Sequence, residues 1–197
     1  MHLRSVVAAL CMGLTLSAHA DAQREINITS DSAPGWLPTI EQSDAAERTA
    51  RAYLAAEDAG HAEDAYKFFA DLQKKDISLE EFRPNVARLR AQLGAPIERR
   101  IVKITWTKDS QAAPIPGVYA AIDLASRFEN ADRHCGYLIL YQPDSGGDFQ
   151  VMREESNILD NATAADIARK GSQADVEAVW AKLSANCPNF AGAAAKP

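Results

Sequence analysis

Cysteine and histidine are scarce: three cysteines and four histidines in 197 residues, with Cys11, His2 and His19 all inside the first twenty positions. That leaves Cys135, Cys187, His61 and His134 for any chemistry downstream. None of them forms a C-x-x-C motif or a cluster at metal-ligand spacing, so no metal, redox pair or cofactor is expected. No Gly-x-Ser-x-Gly elbow and no Walker-type phosphate loop occurs, and Ser145-Gly146-Gly147 reads as a turn, not a ligand cradle. Basic residues are outnumbered by acidic ones, 21 to 27, and occur as isolated pairs such as Lys74-Lys75 and Arg99-Arg100. A nucleic-acid partner is therefore not expected. No uninterrupted apolar run reaches the ~20 residues needed to span a bilayer.

What is present begins with export. Arg4, the apolar run Val6–Leu16 and the small-x-small triplet Ala18-His19-Ala20 predict a signal peptide over residues 1–20, with cleavage after Ala22 as the second choice. The mature chain is then periplasmic or secreted, has no integral membrane segment, and loses one base and no acid. In an oxidising compartment the two remaining cysteines predict one disulfide, Cys135–Cys187. Closing that loop contributes about 4 kcal/mol in the chain-entropy model.

The remainder reads as a flexible lead-in over 21–35, one α+β domain over 36–190 and a disordered Ala-rich tail over 191–197. Helices are predicted over 43–58, where Ala46, Ala50, Tyr53 and Leu54 form a stripe, and over 62–70. A third opens at the Ser78/Glu81 capping box and ends at Gly94, with Pro84 expected to kink it or delay its start. Period-two patterning follows from Ile97 to Lys108, Val118 to Glu129, His134 to Tyr141 and Phe149 to Glu155. Two helices close the domain, over 162–170 and 175–186. The fold class expected is N-terminal helices packed on a four-stranded antiparallel meander, followed by two C-terminal helices.

An even-numbered turn at Asn130–Arg133 sets Phe128 opposite Cys135, Leu124 opposite Ile139 and Ile122 opposite Tyr141. Those residues then share one face with Tyr137, while Asp123, Ala125 and Arg127 share the other with Leu138 and Leu140. A slip of one residue inverts every such assignment. Arg153 is set opposite Tyr137, and Glu155 opposite Cys135. The strand His134–Tyr141 is apolar on both faces and should be central, with the early helices on one side and the tethered last helix on the other.

Four stretches carry a family resemblance: Tyr53-Leu54-Ala55-Ala56-Glu57-Asp58-Ala59-Gly60, Pro116-Gly117-Val118-Tyr119-Ala120-Ala121, His134-Cys135-Gly136-Tyr137 and Arg153-Glu154-Glu155-Ser156. With these, the chain resembles the exported bacterial proteins grouped as domain of unknown function 4019, over about residues 36–188. The order of helices and strands is also similar to the cone of nuclear transport factor 2 and ketosteroid isomerase. The first resemblance implies no known activity, and the second implies only a fold that hosts both enzymes and binding modules.

Asp123 is the one carboxylate in the otherwise small and apolar strand Val118–Ala125. One reading makes it a base of raised pKa, with Tyr53 or Tyr66 donating across a cavity. The plainer reading pairs it with Arg127 or another arginine. Arg127, Tyr137, Arg153 and Glu155 are the candidate binding residues, with register fixing at a sheet end as the competing role. The function expected is an exported binding or interaction module for an unidentified small molecule or protein. The alternative is a hydrolase or isomerase-like enzyme using an Asp/Tyr cavity.

Overall fold

The structure is a computed structural model, and it describes residues 25–187. The expected signal peptide, residues 21–24 of the lead-in and the tail lie outside the described residues. Among the described residues six helices and five strands occur in the order β1 (Asn27–Ile28), α1 (Ile40–Asp58), α2 (Ala62–Lys67), α3 (Asp71–Asp76), α4 (Leu79–Leu93), β2 (Pro96–Lys108), β3 (Val118–Phe128), β4 (Ala131–Gln142), β5 (Gln150–Leu159), α5 (Asn161–Lys170) and α6 (Gln173–Ser184). The fold is mixed α+β.

The sheet has five strands in the order β1-β2-β3-β4-β5, not four. The added strand is β1, which pairs parallel to β2 at Thr105 and Trp106. Within the lead-in expected over 21–35, the chain is therefore paired to β2 from Asn27 onward. Thr29 N–H donates to the Trp106 carbonyl at 2.9 Å, and Ala33 N–H to that of Lys108 at 2.8 Å. Such a short strand carries too little pattern to be read from sequence.

Helix starts follow their caps. Thr39 and Gln42 form a capping box that opens α1 three residues before the predicted start, and Ser78 with Glu81 opens α4 where the sequence places it. Pro84 lies inside α4 and does not delay it. The second helix stops at Lys67, because Phe69 leaves it to bridge Val151, capping the outer edge of β5 at that point.

The register of β3 on β4 corrects the sequence reading. Ile122 faces Leu138, Asp123 faces Tyr137, Leu124 faces Gly136 and Ala125 faces Cys135. The turn is tighter, with Phe128 facing Ala131 across a bulge, so the slip is odd and the faces exchange. Ala120, Ile122 and Leu124 join Leu138 and Leu140 beneath the early helices, in the main core with Ala46, Ala50, Tyr53, Phe69 and Phe82. Asp123 and Ala125 join Cys135 and Tyr137 on the other face. On β5, Tyr137 faces Glu155 and Ile139 faces Arg153, two residues from the predicted alignment, which leaves the faces unchanged.

β4 is covered on both sides. Cys135 and Cys187 are bonded, with Cα atoms 6.0 Å apart, so the bridge draws the end of α6 to the face opposite α1. Val176 is buried there with Leu159 and Ala164, whereas Val179, Trp180 and Leu183 stay half-buried. Gly136, on the same strand, is required by close approach: a Cβ there would lie 2.1 Å from the Glu155 carbonyl oxygen.

Candidate functional site

The apolar stripe of α1 does not end at Leu54. One turn on it reaches Glu57, 8% exposed, which continues the spacing of Ala46, Ala50 and Tyr53. Beneath it, Glu154 projects from β5 on the helix-covered face, since its register partner is Leu138. Tyr53, fully buried, stands between the two acids. Its hydroxyl oxygen is 2.6 Å from Glu154 Oε2 and 2.9 Å from Glu57 Oε1. One hydroxyl carries one proton, so it donates across the shorter contact to Glu154. Glu57, as the protonated acid, has a proton of its own to donate, and Glu154 is within its reach as well as the tyrosine oxygen.

The electrostatics agree with that assignment. Burial first, then the charge of Glu154, holds the Glu57 carboxyl well above the usual carboxylate range. Burial raises Glu154 as well, but the Tyr53 hydrogen bond and the Arg99 charge pull against it. Burial and the two acids keep Tyr53 protonated. The pair therefore holds a proton above the pH at which an exposed glutamate loses it.

Next to it, Arg99 of β2 binds Asp58 with both ends of its guanidinium, Nε to Oδ2 at 2.7 Å and Nη2 to Oδ1 at 2.6 Å. Burial opposes the Arg99 charge, yet the Asp58 hydrogen bonds and charge outweigh it and its pKa stays raised. The same guanidinium lies 5.0 Å over the Phe128 ring. His134, buried on β4, meets Phe128 edge-on, and its Nε2 is 3.2 Å from Ser156 Oγ, while Nδ1 has no hydrogen-bond partner among the described residues. Burial, and secondarily the Arg99 charge, push the imidazole down to about 3, so it is neutral.

The predicted site residues divide between the two faces. Tyr53 belongs to the acid pair, and Tyr66 donates to the Ile77 carbonyl at 3.0 Å. Asp123, 3% exposed, lies on the opposite face, so the structure does not bring it to either tyrosine. Arg127 pairs with Asp132 beside the β3–β4 turn. Tyr137, Arg153 and Glu155 do come together: Arg153 pairs with Glu155, and its guanidinium lies 5.8 Å from the Tyr137 ring. Asp123 sits in register with Tyr137 on that face. The residues missed were Glu57, Asp58, Arg99, His134 and Glu154. A signal existed for two of them. Glu57 falls on the helical stripe, and strict alternation sends Glu154 to the face away from Arg153 and Glu155.

Open space lies elsewhere. The cavity touching Glu57, Asp58 and Arg99 measures about 20 Å³, the size of one water. A groove of about 340 Å³ runs instead between α1 and the first half of β2, floored by Leu54, Ala55, Ile97, Ile101 and Leu124, with Arg51 and Arg100 at its margins. A second, of about 490 Å³, adjoins it at Arg51 and Ile101 and continues past Trp106 to Glu25–Asn27. Among the described residues no group of three or more His, Cys, Asp or Glu is placed to hold a metal ion, and no helix is long and apolar enough to cross a membrane.

A family model described as Protein of unknown function (DUF4019) matches residues 49–152, just over half of the chain. The chain belongs to the DUF4019 family. The matched segment of this DUF4019 protein spans α1 from its middle through to the start of β5, and so includes Tyr53, Glu57, Asp58, Arg99 and His134. Glu154 falls just beyond it. No curated protein and no solved structure matches the chain.

Proposed function

We propose that this DUF4019 member is an exported binding module whose site is the groove between α1 and β2, and not the interior of the fold. The observation that carries this reading is where the space is. The helix-covered interior is filled by packed side chains, and its acids and Arg99 are partnered with one another or with Tyr53, whereas the groove of about 340 Å³ is open and has an apolar floor. Tyr53, Glu57 and Glu154 then act as a latch joining α1 to β5. The enzymatic alternative loses its support, because Asp123 and the two tyrosines lie on different faces of the sheet and the cavity beside the acid pair holds no more than a water.

Export belongs to the same proposal, supported by Arg4, the Val6–Leu16 run and Ala18-His19-Ala20. Mass spectrometry of the protein recovered from the producing cell should find an N-terminus at Asp21 or Gln23. The order of helices and strands also supports proposing a cone of the nuclear transport factor 2 type, with the acid pair in its interior.

The site is tested by amide NMR with a library of small amphipathic compounds. Shifts clustered at Leu54, Ala55, Ile97 and Ile101 are the expected result. Shifts centred instead on Tyr53 and Glu154, accompanied by turnover of a bound compound, would replace this reading with an enzymatic one.

A further inference from the structure

Single apolar side chains on a surface are ordinary, but Leu37 and Ile40 are large, close in the chain, and 61% and 82% exposed. The turn that carries them is held in place. Trp36 packs on the main core, Pro38 between them is buried, and Thr39 and Gln42 close the capping box of α1. Ile40 is the first residue of that helix, where an acidic or polar side chain serves the fold better than a β-branched apolar one. The fold thus holds both side chains in solvent and draws little from them.

The pair stands at one end of the sheet. Ala33 N–H donates to the Lys108 carbonyl at 2.8 Å, and Gln42 Nε2 to Gln142 Oε1 at 2.8 Å, tying the turn to the last residues of β2 and β4. Gln142 Nε2 donates in turn to the Gly147 carbonyl at 2.7 Å, which sets the β4–β5 loop beside it. Asp31 accepts from the Ser110 hydroxyl and brings in the β2–β3 loop. These segments, residues 31–42, 108–117 and 142–149, carry five acids against one base. Asp31, Glu41, Asp109, Asp144 and Asp148 are all exposed. The base, Lys108, is shared between Asp109 at 3.6 Å and Asp144 at 3.1 Å.

We propose that Leu37 and Ile40 are the docking point for an amphipathic segment of a partner protein, one whose apolar stripe is flanked by lysine or arginine. The apolar pair supplies the surface that binding buries, and the acids around it select the sign of the partner. This end shares no residue with the groove floored by Leu54, Ala55, Ile97 and Ile101, so either surface can fail without the other. The chain itself runs elsewhere. β1 lies parallel to β2 and advances toward Lys108, so the chain enters the sheet from the Lys103 side, away from the turn. Cys187 is bonded to Cys135, which lies about 23 Å down β4 from Gln142 at ~3.3 Å per residue, on the face opposite α1. A second copy docking by this end would set acid against acid, and an anionic lipid surface would meet the same repulsion.

The probe is a synthetic helical peptide of leucine and lysine in amphipathic spacing, with its glutamate-for-lysine counterpart as control. Binding to the purified protein is followed by amide and methyl NMR. The lysine peptide is expected to shift Leu37, Ile40, Gly146 and Gly147 and to weaken as salt is raised, while the glutamate peptide leaves them unmoved. The double variant Leu37→Gln/Ile40→Gln, at exposed positions and melting as wild type does, should bind the lysine peptide about tenfold more weakly. Glu41→Lys/Asp148→Lys leaves the apolar pair intact and should weaken the lysine peptide while admitting the glutamate one. Unchanged affinities in either variant would overturn the proposal, as would equal binding of the two peptides by wild type. Silence of the four residues toward both peptides would overturn it too, and shifts confined to Leu54, Ala55, Ile97 and Ile101 would leave the groove as the binding surface. Shifts at the four residues that grow with protein concentration alone would assign this end to a second copy. Shifts produced by neutral lipid vesicles and by neither peptide would assign it to a membrane. Leu37 and Ile40 methyls shielded from a soluble paramagnetic agent in dilute, peptide-free protein would assign it to this chain's own residues. Each of these last three outcomes replaces the partner segment.

Discussion

Glu57 of α1 and Glu154 of β5 meet through a single tyrosine hydroxyl, 2.9 Å from one and 2.6 Å from the other. Two carboxylates cannot both stay ionised in that setting at low cost, so the contact between the first helix and the last strand depends on a proton. That dependence makes the latch measurable without knowing the ligand.

Glu57→Gln keeps a donor for the Tyr53 oxygen and removes the ionisable group. The folded pKa of Glu57 lies above its unfolded value, so below the unfolded pKa the acid is protonated in both states and carries no penalty. As pH rises from there through the folded pKa, the unfolded chain releases the proton first and stability falls. The variant should therefore melt higher than wild type at pH 8, with the gap closing near pH 4. Thermal melts across that range check this, and a gap independent of pH would reject the proton assignment.

Tyr53→Phe removes the shared hydroxyl and leaves buried Glu57 and half-buried Glu154 facing one another. A loss of about 1–3 kcal/mol is expected in urea unfolding at neutral pH. An unchanged midpoint would mean that the acids find water in place of the tyrosine.

His134 governs the acid side. Its folded pKa, about 3, lies below the unfolded value, so above pH 6.5 the ring is neutral in both states and carries no penalty. Between about pH 6.5 and 3 the unfolded chain takes up the proton first, and stability falls as pH falls. His134→Gln should flatten this acid limb while Glu57→Gln leaves it in place. The two variants therefore act on opposite ends of one stability profile.

Cys187→Ser opens the tether between α6 and β4. The expected loss is about 2–5 kcal/mol. Peptide mapping without reductant should recover Cys135 linked to Cys187 in the wild type, and two free thiols in oxidised protein would remove the bridge.

Gly136→Ala tests the close approach of β4 and β5. The added methyl meets the Glu155 backbone carbonyl at 2.1 Å, and backbone cannot swing aside as a side chain can. A drop of about 1–3 kcal/mol is expected, the range for overpacking. A neutral result would show that the β5 edge yields.

Sequence by itself determined the local elements. Capping at Ser78, the stripe Ala46–Leu54, the period-two runs and the placing of β4 between two covering layers are all short-range signals, carried by residues within a turn or a strand of one another. Outside the expected leader, cysteine scarcity likewise left a single intramolecular pairing, Cys135 with Cys187. Tertiary structure decided what depends on how the strands slide past each other. The β3–β4 turn is tight with a bulge beyond it, a choice that chain pattern does not resolve, and it sent Asp123 to the face opposite Tyr53. The same registers brought Glu154 under α1, an element distant in the chain, and set His134 beside Phe128 across the β3–β4 hairpin, a meeting that follows from how the strands slide and not from either strand's own pattern. The acid pair exists only after two elements about a hundred residues apart have docked, because it is burial against both that raises the carboxyl pKa values and places one proton between them.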